Sequence, residues 1–333
     1  MEKSWCSTER IRIWIQCVWV IGVLAAMVRT AQCESVRAWP GEFLRMGTGA
    51  RAMAMGNAYS AVDGDILSSS YNPAGLASLR GRQIALSYRY MSMDRYFTHV
   101  VFGSRIGPDA GFAFSWLGAG TEDIQGRDRN GNRTGNLKDN RNSFGVTFAK
   151  SLGNRVSLGI TPKLSLWKLD DDDAKAFGFD IGVLVRPVES LSAAFVVRDV
   201  NSRFTWESKR WNDAISGVDG QTMEKDDKFP LYYTVGVAWK TLGEKLLLSA
   251  MTESVEDNPL GCDFGASYAY NRMLTLRAGV YNYTASGGLD YGSFTAGFGL
   301  QVTGTIGFDY AFASDTVEND RLHILSLVLT YGE

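Results

Sequence analysis

From Gln83 to the end of the chain the sequence alternates with period two, segment after segment, and this pattern constrains the fold more than any other feature. In 274–281, for example, one side is apolar and consists of Leu274, Leu276, Ala278 and Val280. The other side carries Thr275, Arg277, Gly279 and Tyr281. Such alternation is typical of strands whose two faces meet different surroundings. It predicts an all-β protein, either a soluble sandwich or a membrane barrel.

The lengths of the links between the strands favour the barrel. Links after even-numbered strands are short, whereas links after odd-numbered strands are mostly longer and more polar, reaching 118–142 and 199–231. Short turns at one rim and long loops at the other are typical of outer-membrane barrels. We therefore predict about fourteen antiparallel transmembrane strands. They lie near 83–90, 97–105, 111–117, 143–150, 156–169, 176–186, 191–198, 232–241, 245–252, 262–270, 274–282, 293–301, 305–313 and 323–331.

Aromatic and charged residues fall on opposite faces of these predicted strands. The apolar face carries one aromatic belt near each rim, as expected for amphipathic rings at the two membrane interfaces. The outer belt contains Tyr88, Tyr90, Trp116, Tyr310 and Phe312, and the inner belt Trp239, Tyr268, Tyr270 and Tyr331. Charge on the lipid side is costly, so the other face is predicted to be the lumen. The predicted lumen-facing charged residues are Arg89, Lys163, Asp180, Arg198 and Arg277.

The first 33 residues resemble an export signal. Basic residues precede an apolar run from Ile13 to Val28, and Ala31-Gln32-Cys33 supplies small residues before a cleavage point at Glu34. An N-terminal membrane anchor is the alternative interpretation. Cleavage would leave Cys262 as the one cysteine, which excludes an internal disulfide framework. No later segment has the roughly 18 continuous apolar residues of a membrane-spanning helix.

Composition and motifs give little support to catalysis, cofactors or nucleic-acid binding. The formal net charge is −2, so no strong field points toward nucleic acid. The two histidines, His99 and His323, could form a pair near the outer rim, but no nucleophile, base and acid stand in a recognisable order. The run Asp170 to Asp173 could hold calcium, although a solvated loop is the simpler interpretation because the run lacks alternate spacing around a glycine. We expect no enzyme activity, no cofactor and no metal.

Before the first strand lies a segment with sharper motifs. Residues 41–62 read GEFLRMGTGARAMAMGNAYSAV, and Asn72-Pro73-Ala74-Gly75-Leu76 follows. This segment resembles the start of PorV/PorQ-type proteins of the FadL-like outer-membrane superfamily. The resemblance implies a hatch folded into the barrel lumen, with a buried packing helix as the alternative. Its motif residues are Gly41, Glu42, Phe43, Gly47, Gly49, Gly56, Asn72, Pro73, Ala74 and Gly75. The domain organisation that follows is a signal peptide over 1–33, a hatch over 34–82 and a transmembrane barrel over 83–333.

The resemblance also implies function, partners and location. It implies an outer-membrane protein of a Gram-negative-type bacterium, inserted by the barrel-assembly machinery and surrounded by lipid. The first expectation is passage of hydrophobic small molecules, as in FadL-like proteins. The alternative is a PorV-like type IX secretion component that binds and shuttles exported cargo proteins. Pro162, inside a predicted strand, would remove a ladder donor, and by resemblance it is a candidate for a lateral-opening kink.

Overall fold

The structure is a computed structural model that describes residues 40–128, 130–170, 172–208, 223–255, 258–283, 293–314 and 321–332. The predicted signal peptide over 1–33 and the first residues of the predicted hatch lie outside these residues. Four short helical turns precede the first strand. They are Glu42–Arg45, Ala50–Met53, Ile66–Ser70 and Pro73–Ser78. Among the described residues, no helix has the length and hydropathy needed to cross a bilayer.

Sixteen strands follow the helical turns in the described part of the chain. The first eight are β1 (Arg82–Tyr90), β2 (Arg95–Ile106), β3 (Ala110–Arg127), β4 (Arg133–Leu152), β5 (Val156–Leu169), β6 (Asp172–Val188), β7 (Leu191–Val200) and β8 (Arg203–Ser208). The others are β9 (Met223–Lys228), β10 (Tyr232–Thr241), β11 (Leu246–Val255), β12 (Asn258–Ala269), β13 (Leu274–Tyr283), β14 (Ser293–Gln301), β15 (Ile306–Ser314) and β16 (Arg321–Tyr331).

Fourteen of these strands close into an antiparallel barrel, which confirms the predicted fold class and strand number. Neighbours along the chain pair with one another, β7 pairs with β10, and β1 pairs with β16 to close the ring. The closing pair has an unbroken register from Arg82 opposite Tyr331 to Tyr90 opposite His323. We call the two ends of the barrel the short-turn end, where β1 begins, and the long-loop end.

The prediction of long loops over 118–142 and 199–231 was partly wrong, because both ranges contain strands. Residues 118–142 mostly lengthen β3 and β4, which stay paired as far as Arg127 opposite Arg133. Within 199–231, β8 and β9 form a hairpin, and β8 pairs with the outer part of β6. Since these extensions stand beyond the apolar band, they lack the one-sided pattern from which strands can be predicted.

The two faces of the wall differ as predicted. Outward side chains are large, apolar and exposed, such as Phe114, Leu158 and Phe294. Inward side chains are small or polar and buried, such as Ala85, Ser157 and Thr295. The predicted belt residues Tyr88 and Tyr90 at the long-loop end, and Tyr268, Tyr270 and Tyr331 at the short-turn end, are among the exposed outward residues.

The lumen is filled by residues 40–81, the described part of the proposed hatch. The backbone amide of Ala50 donates to Ser326 Oγ in β16 at 2.8 Å, and that of Gly56 donates to Thr295 Oγ1 in β14 at 3.0 Å. On the opposite wall, Asn72 lies against Gly182 in β6. Contacts with strands on all sides show that this segment lies inside the ring. Glycines on the wall, rather than larger residues, leave room for its backbone.

Candidate functional site

An apolar cluster lies inside the barrel at the long-loop end, and we call it the outer cluster. It combines hatch residues with the inward residues of the upper strands and with the β8–β9 hairpin. Its large buried members are Phe43, Met53, Met91, Phe97, Leu117, Phe204, Phe229, Leu322 and Ile324. Leu44, Met46, Trp167, Trp206 and Tyr281 pack against it and are partly exposed. An apolar cluster with several partly exposed side chains therefore lies inside the barrel at the long-loop end.

Aromatic rings fix the shape of this cluster. Phe204 and Phe229 have ring centroids 4.9 Å apart, and Trp167 lies 4.8 Å from Trp206. Tilted and edge-on aromatic pairs of this kind add about 0.5–1.5 kcal/mol beyond their buried area. Each tryptophan also donates a hydrogen bond to a carboxylate, Trp167 to Asp139 at 2.7 Å and Trp206 to Asp227 at 2.9 Å. The partly exposed indoles thus have fixed orientations.

Beneath the outer cluster lies a buried charged group that joins the hatch to the wall. Lys163 contacts both Asp180 and Asp199 at 2.8 Å, and Arg45 contacts Asp199 at 3.2 Å. The Arg45 guanidinium stacks over the ring of Tyr232 at 3.5 Å from its centroid. Nε and Nη2 of Arg45 have no hydrogen-bond partner among the described residues. Beneath the apolar cluster, two buried donors of Arg45 therefore stay unpaired.

Two of the predicted lumen arginines, Arg198 and Arg89, also hold the hatch. Arg198 pairs with Glu253 at 3.2 Å and donates to the carbonyl of Tyr71 at 3.0 Å. Arg89 donates to the carbonyls of Met46 and Gly47. Burial raises the pKa of the Tyr71 phenol to about 12, so this ring stays neutral between the arginines and the hatch backbone.

A second charged group ties the middle of the hatch to β13 and β15. Arg51 contacts Asp65 within the hatch and Asp309 in β15, the latter at 2.9 Å. Arg277 in β13 contacts the same Asp309 at 2.7 Å. Tyr59 donates a hydrogen bond to Asp65 at 2.9 Å. Its pKa is raised, mainly by burial and secondly by the negative charge of Asp65. The positive charges of Arg51 and Arg277 thus balance the negative charges of Asp65 and Asp309 inside the barrel.

A third charged group closes the short-turn end. Arg186 in β6 contacts Asp63 of the hatch, and Lys240 in β10 lies 3.6 Å from the same carboxylate. Ser78 donates to Asp63 at 3.2 Å. The hatch is therefore held by charge at three levels of the barrel.

The hatch motif residues predicted from sequence form the tight turns between these anchors. Asn72 accepts from the amide of Ala74 at 3.0 Å and so caps the turn Pro73–Ser78, in which Gly75 lies. Gly56 has φ +59°, and a Cβ there would lie 2.5 Å from the Val280 carbonyl oxygen. Gly41 likewise has positive φ and contacts the ring of Phe229, while Phe43 is buried in the outer cluster. Gly47 and Gly49 flank Thr48 before the turn Ala50–Met53, and Glu42 is exposed.

Pro162 does not shift the pairing register between β4 and β5. The register of β4 with β5 is the same on both sides of it, although two residue pairs of the ladder are missing there. Thr147 and Thr161 bridge the missing pairs through their hydroxyls at 2.9 Å. The role of Pro162 in a lateral opening remains a prediction.

A larger irregularity lies between β7 and β8. The pairing with β6 shifts by one residue twice. The first shift lies between the pairs Ile181–Val197 and Phe179–Val200, and the second lies between Phe179–Val200 and Ala176–Phe204. Asp199 and Asn201 take positive φ at this point, and the neighbouring chain turns at Phe229 to Leu231 before β10. A depression of about 360 Å³, lined by Leu164, Phe177 and Asn201, lies outside the shifted region. Inserted residues of this kind bend a strand and interrupt its ladder.

The two histidines do not come together. His99 is buried on the inward face of β2, where its Nε2 lies 3.3 Å from Ser70 Oγ. His323 faces outward on β16, where Tyr310 contacts its Nδ1 at 2.8 Å. Sequence reasoning missed the acidic and basic hatch partners Arg45, Arg51, Asp63 and Asp65. These four are the charged residues of 43–79, a stretch rich in small and apolar residues, and they were the available signal.

Comparison with known proteins shows the fold. No family model matches this sequence, and no curated protein matches it. Among solved structures, the toluene transporter TodX of Pseudomonas putida has a TM-score of 0.60 at 14% identity, over 85% of this chain and 96% of that chain. The monoaromatic hydrocarbon channel CymD has a TM-score of 0.62 at 11% identity, over 89% and 100% of the two chains. A FadL homologue of Pseudomonas aeruginosa has a TM-score of 0.56 at 12% identity, over 85% and 98%. The chain shares its barrel fold with these proteins.

Proposed function

We propose that this protein is an outer-membrane barrel that lets hydrophobic small molecules pass through the wall of a Gram-negative-type cell. The observation that carries the proposal is the outer cluster, an apolar and partly exposed lining at the long-loop end with the hatch as its floor. Pockets that are mostly apolar with a few placed polar groups are typical of small-molecule sites. Proteins of the same fold that transport toluene and monoaromatic hydrocarbons support it.

In the proposed path, a molecule enters between the long loops and packs against Trp167, Trp206 and Leu44. Movement of the hatch would expose the buried, unpaired donors of Arg45 to a polar or acidic head group, while a pure hydrocarbon would use the rings alone. The molecule then leaves through the irregular wall between β7 and β8, where the depression beside Phe177 reaches the outward face. Asp199 links this exit to the hatch, because it contacts Arg45 at the same kink.

Uptake of labelled toluene by a Gram-negative host with its own hydrocarbon uptake disabled tests the proposal. We expect expression of the protein to raise uptake, and Leu44→Glu to abolish the gain because it places a charge in the outer cluster. Met93→Glu is the matched control, since Met93 is exposed on the loop before β2 and lies outside the cluster. No gain in uptake, with the barrel correctly inserted, would contradict the proposal.

The alternative function, a PorV-like shuttle for exported cargo proteins, rests on the motif of residues 41–62. Its test is a comparison of the surface proteins of a deletion strain and its parent. Loss of a set of surface proteins, with their accumulation inside, would favour the shuttle. An unchanged set of surface proteins would favour the passage of small molecules instead.

A further inference from the structure

A basic depression lies at the short-turn end, where the chain passes from the hatch into β1. Its volume is about 420 Å³. Its lining consists of Arg80, Arg82, Arg105, Ser104 and three glycines, so no acidic residue of the described part of the chain lines it. We call this depression the arginine pocket.

The backbone brings the three arginines together from three separate elements. Arg80 is the last hatch residue before Gly81, which has φ +61°. A Cβ at Gly81 would lie 2.6 Å from the carbonyl oxygen of Tyr331, so the chain passes close against the end of β16 here. Arg82 begins β1, and Arg105 lies in β2, one residue after the strand partner of Arg82. The hatch, β1 and β2 therefore each contribute one guanidinium to the same depression.

The positive charges of the pocket are not balanced within the described residues. All three arginines are exposed, and none makes an ion pair there, whereas Arg186 at the same end pairs with Asp63. Arg105 donates from Nε to the carbonyl of Gly107 at 2.9 Å and from Nη2 to that of Pro108 at 2.5 Å. These carbonyls hold the guanidinium in place but leave its charge uncompensated. Because like charges around one depression repel one another, a bound anion would be stabilising.

The strand register places the pocket on the membrane-facing side of the wall. Arg82 shares its face of β1 with Ile84 and Leu86, and Leu86 is 46% exposed. Phe102, which lies opposite Ile84 on β2, is 42% exposed on the same face. Tyr331, a residue of the aromatic belt at the short-turn end, lies opposite Arg82 on β16. Arg82 therefore stands at the edge of the apolar band, where the head groups of a bilayer lie.

We propose that the arginine pocket binds the phosphate of an anionic phospholipid from the leaflet at the short-turn end. This inference rests on the membrane location in the proposed function, and it is independent of what passes through the barrel. Guanidinium groups form paired, charge-assisted hydrogen bonds with phosphate oxygens, and basic pockets at a membrane surface bind lipid head groups. A zwitterionic lipid fits less well, because its ammonium group would meet three positive charges and no carboxylate. Since Arg80 belongs to the hatch, the bound phosphate would also connect the hatch to the wall.

Native mass spectrometry of the detergent-purified full chain tests the proposal. The added lipids are palmitoyl-oleoyl phosphatidylglycerol and, separately, palmitoyl-oleoyl phosphatidylethanolamine. We expect one phosphatidylglycerol per barrel and much weaker retention of phosphatidylethanolamine. A basic residue near an anionic lipid contributes about fivefold in affinity, so Arg82→Gln should reduce retention by about fivefold. The triple variant, with Gln at 80, 82 and 105, should reduce it by about a hundredfold.

Arg272→Gln is the matched control. Arg272 is an exposed arginine in the short turn between β12 and β13, at the same end of the barrel, and it does not line the pocket. It should retain phosphatidylglycerol as the wild type does. Equal retention by the wild type, the triple variant and Arg272→Gln would overturn the proposal. Equal retention of the anionic and the zwitterionic lipid would do the same.

Two other occupants of the pocket have their own signatures. Equilibrium dialysis with radiolabelled inorganic phosphate detects a soluble anion. Binding of free phosphate without retention of phosphatidylglycerol would assign the pocket to such an anion and overturn the proposal. Retention of phosphatidylglycerol that appears only in Glu333→Gln would overturn it as well, because the acidic residue that follows Gly332 would then be the partner of the arginines.

Failure of this inference can be distinguished from failure of the proposed function. A barrel that inserts into membranes and raises toluene uptake but retains no phosphatidylglycerol would refute this inference alone. A chain that fails to insert into membranes would refute the proposed location.

Discussion

Removing the Asp309 charge tests whether buried ion pairs hold the hatch in place. Asp309 joins Arg51 of the hatch to Arg277 of β13, and the side chains of Arg277 and Asp309 are 7% and 2% exposed. Asp309→Asn keeps the shape but leaves one buried positive charge in excess. Breaking a buried pair in this way costs about 3–5 kcal/mol. We expect the loss to fall on the hatch, because the backbone ladders hold the barrel itself.

The control is Asp226→Asn, the same change in the hairpin pair Arg203–Asp226, whose side chains are 60% and 51% exposed. Exposed pairs of this kind contribute less than about 1 kcal/mol. Hydrogen exchange of the amides in 50–57 reports the local opening free energy of the hatch. It should fall by about 3 kcal/mol or more in Asp309→Asn and stay within about 1 kcal/mol of wild type in the control.

A double variant sharpens the comparison. Arg277→Met with Asp309→Leu removes the pair together and leaves Arg51 with Asp65. We expect it to recover much of the loss, since replacing a whole buried pair by apolar residues is often close to neutral. Equal hydrogen exchange in Asp309→Asn and Asp226→Asn would show that the buried charges contribute nothing to the position of the hatch.

Three further predictions concern single positions. Gly56→Ala should weaken the hatch by about 1–3 kcal/mol more than Gly107→Ala, because both have positive φ but only Gly56 faces a backbone carbonyl; hydrogen exchange and urea midpoints of the two variants check this. Because burial raises the pKa of Tyr71 to about 12, its contribution to hatch stability is fully present below pH 10 and lost as the pH rises from about 10 to about 12. Tyr71→Phe should flatten that part of the stability profile, and an unchanged profile would contradict the assignment. Arg45→Met should reduce uptake of labelled oleate more than uptake of toluene, because only the fatty acid can use the Arg45 donors; an equal reduction would remove Arg45 from head-group binding.

The barrel could be predicted because each membrane strand carries its own signal. Leu274 to Val280 alternate with polar or small residues, and a one-sided pattern of this kind needs no knowledge of the neighbouring strand. The extension of β3 and β4 over 118–142 could not be predicted in this way. Residues such as Glu122 and Arg133 meet water on both faces, so nothing in their order separates a strand from a loop.

Only part of the candidate site could be predicted from the sequence. Arg89, Lys163, Asp180, Arg198 and Arg277 could be placed on one face by periodicity, but their partners could not. Arg45 and Asp199 are 154 residues apart, and no local pattern joins them. The kink between β7 and β8 is likewise hidden, since a one-residue shift exists only relative to β6. Pro162 carries the visible sequence signal, yet the larger shift lies at Asp199 to Ser202.

The most direct measurement is a crystal structure of the purified barrel soaked with bromobenzene, in which anomalous scattering locates the bromine. We predict a bromine site inside the barrel, among Trp167, Trp206 and Leu44 of the outer cluster. Bromine bound only on the outward face of the wall, with the outer cluster empty at saturating concentration, would contradict it.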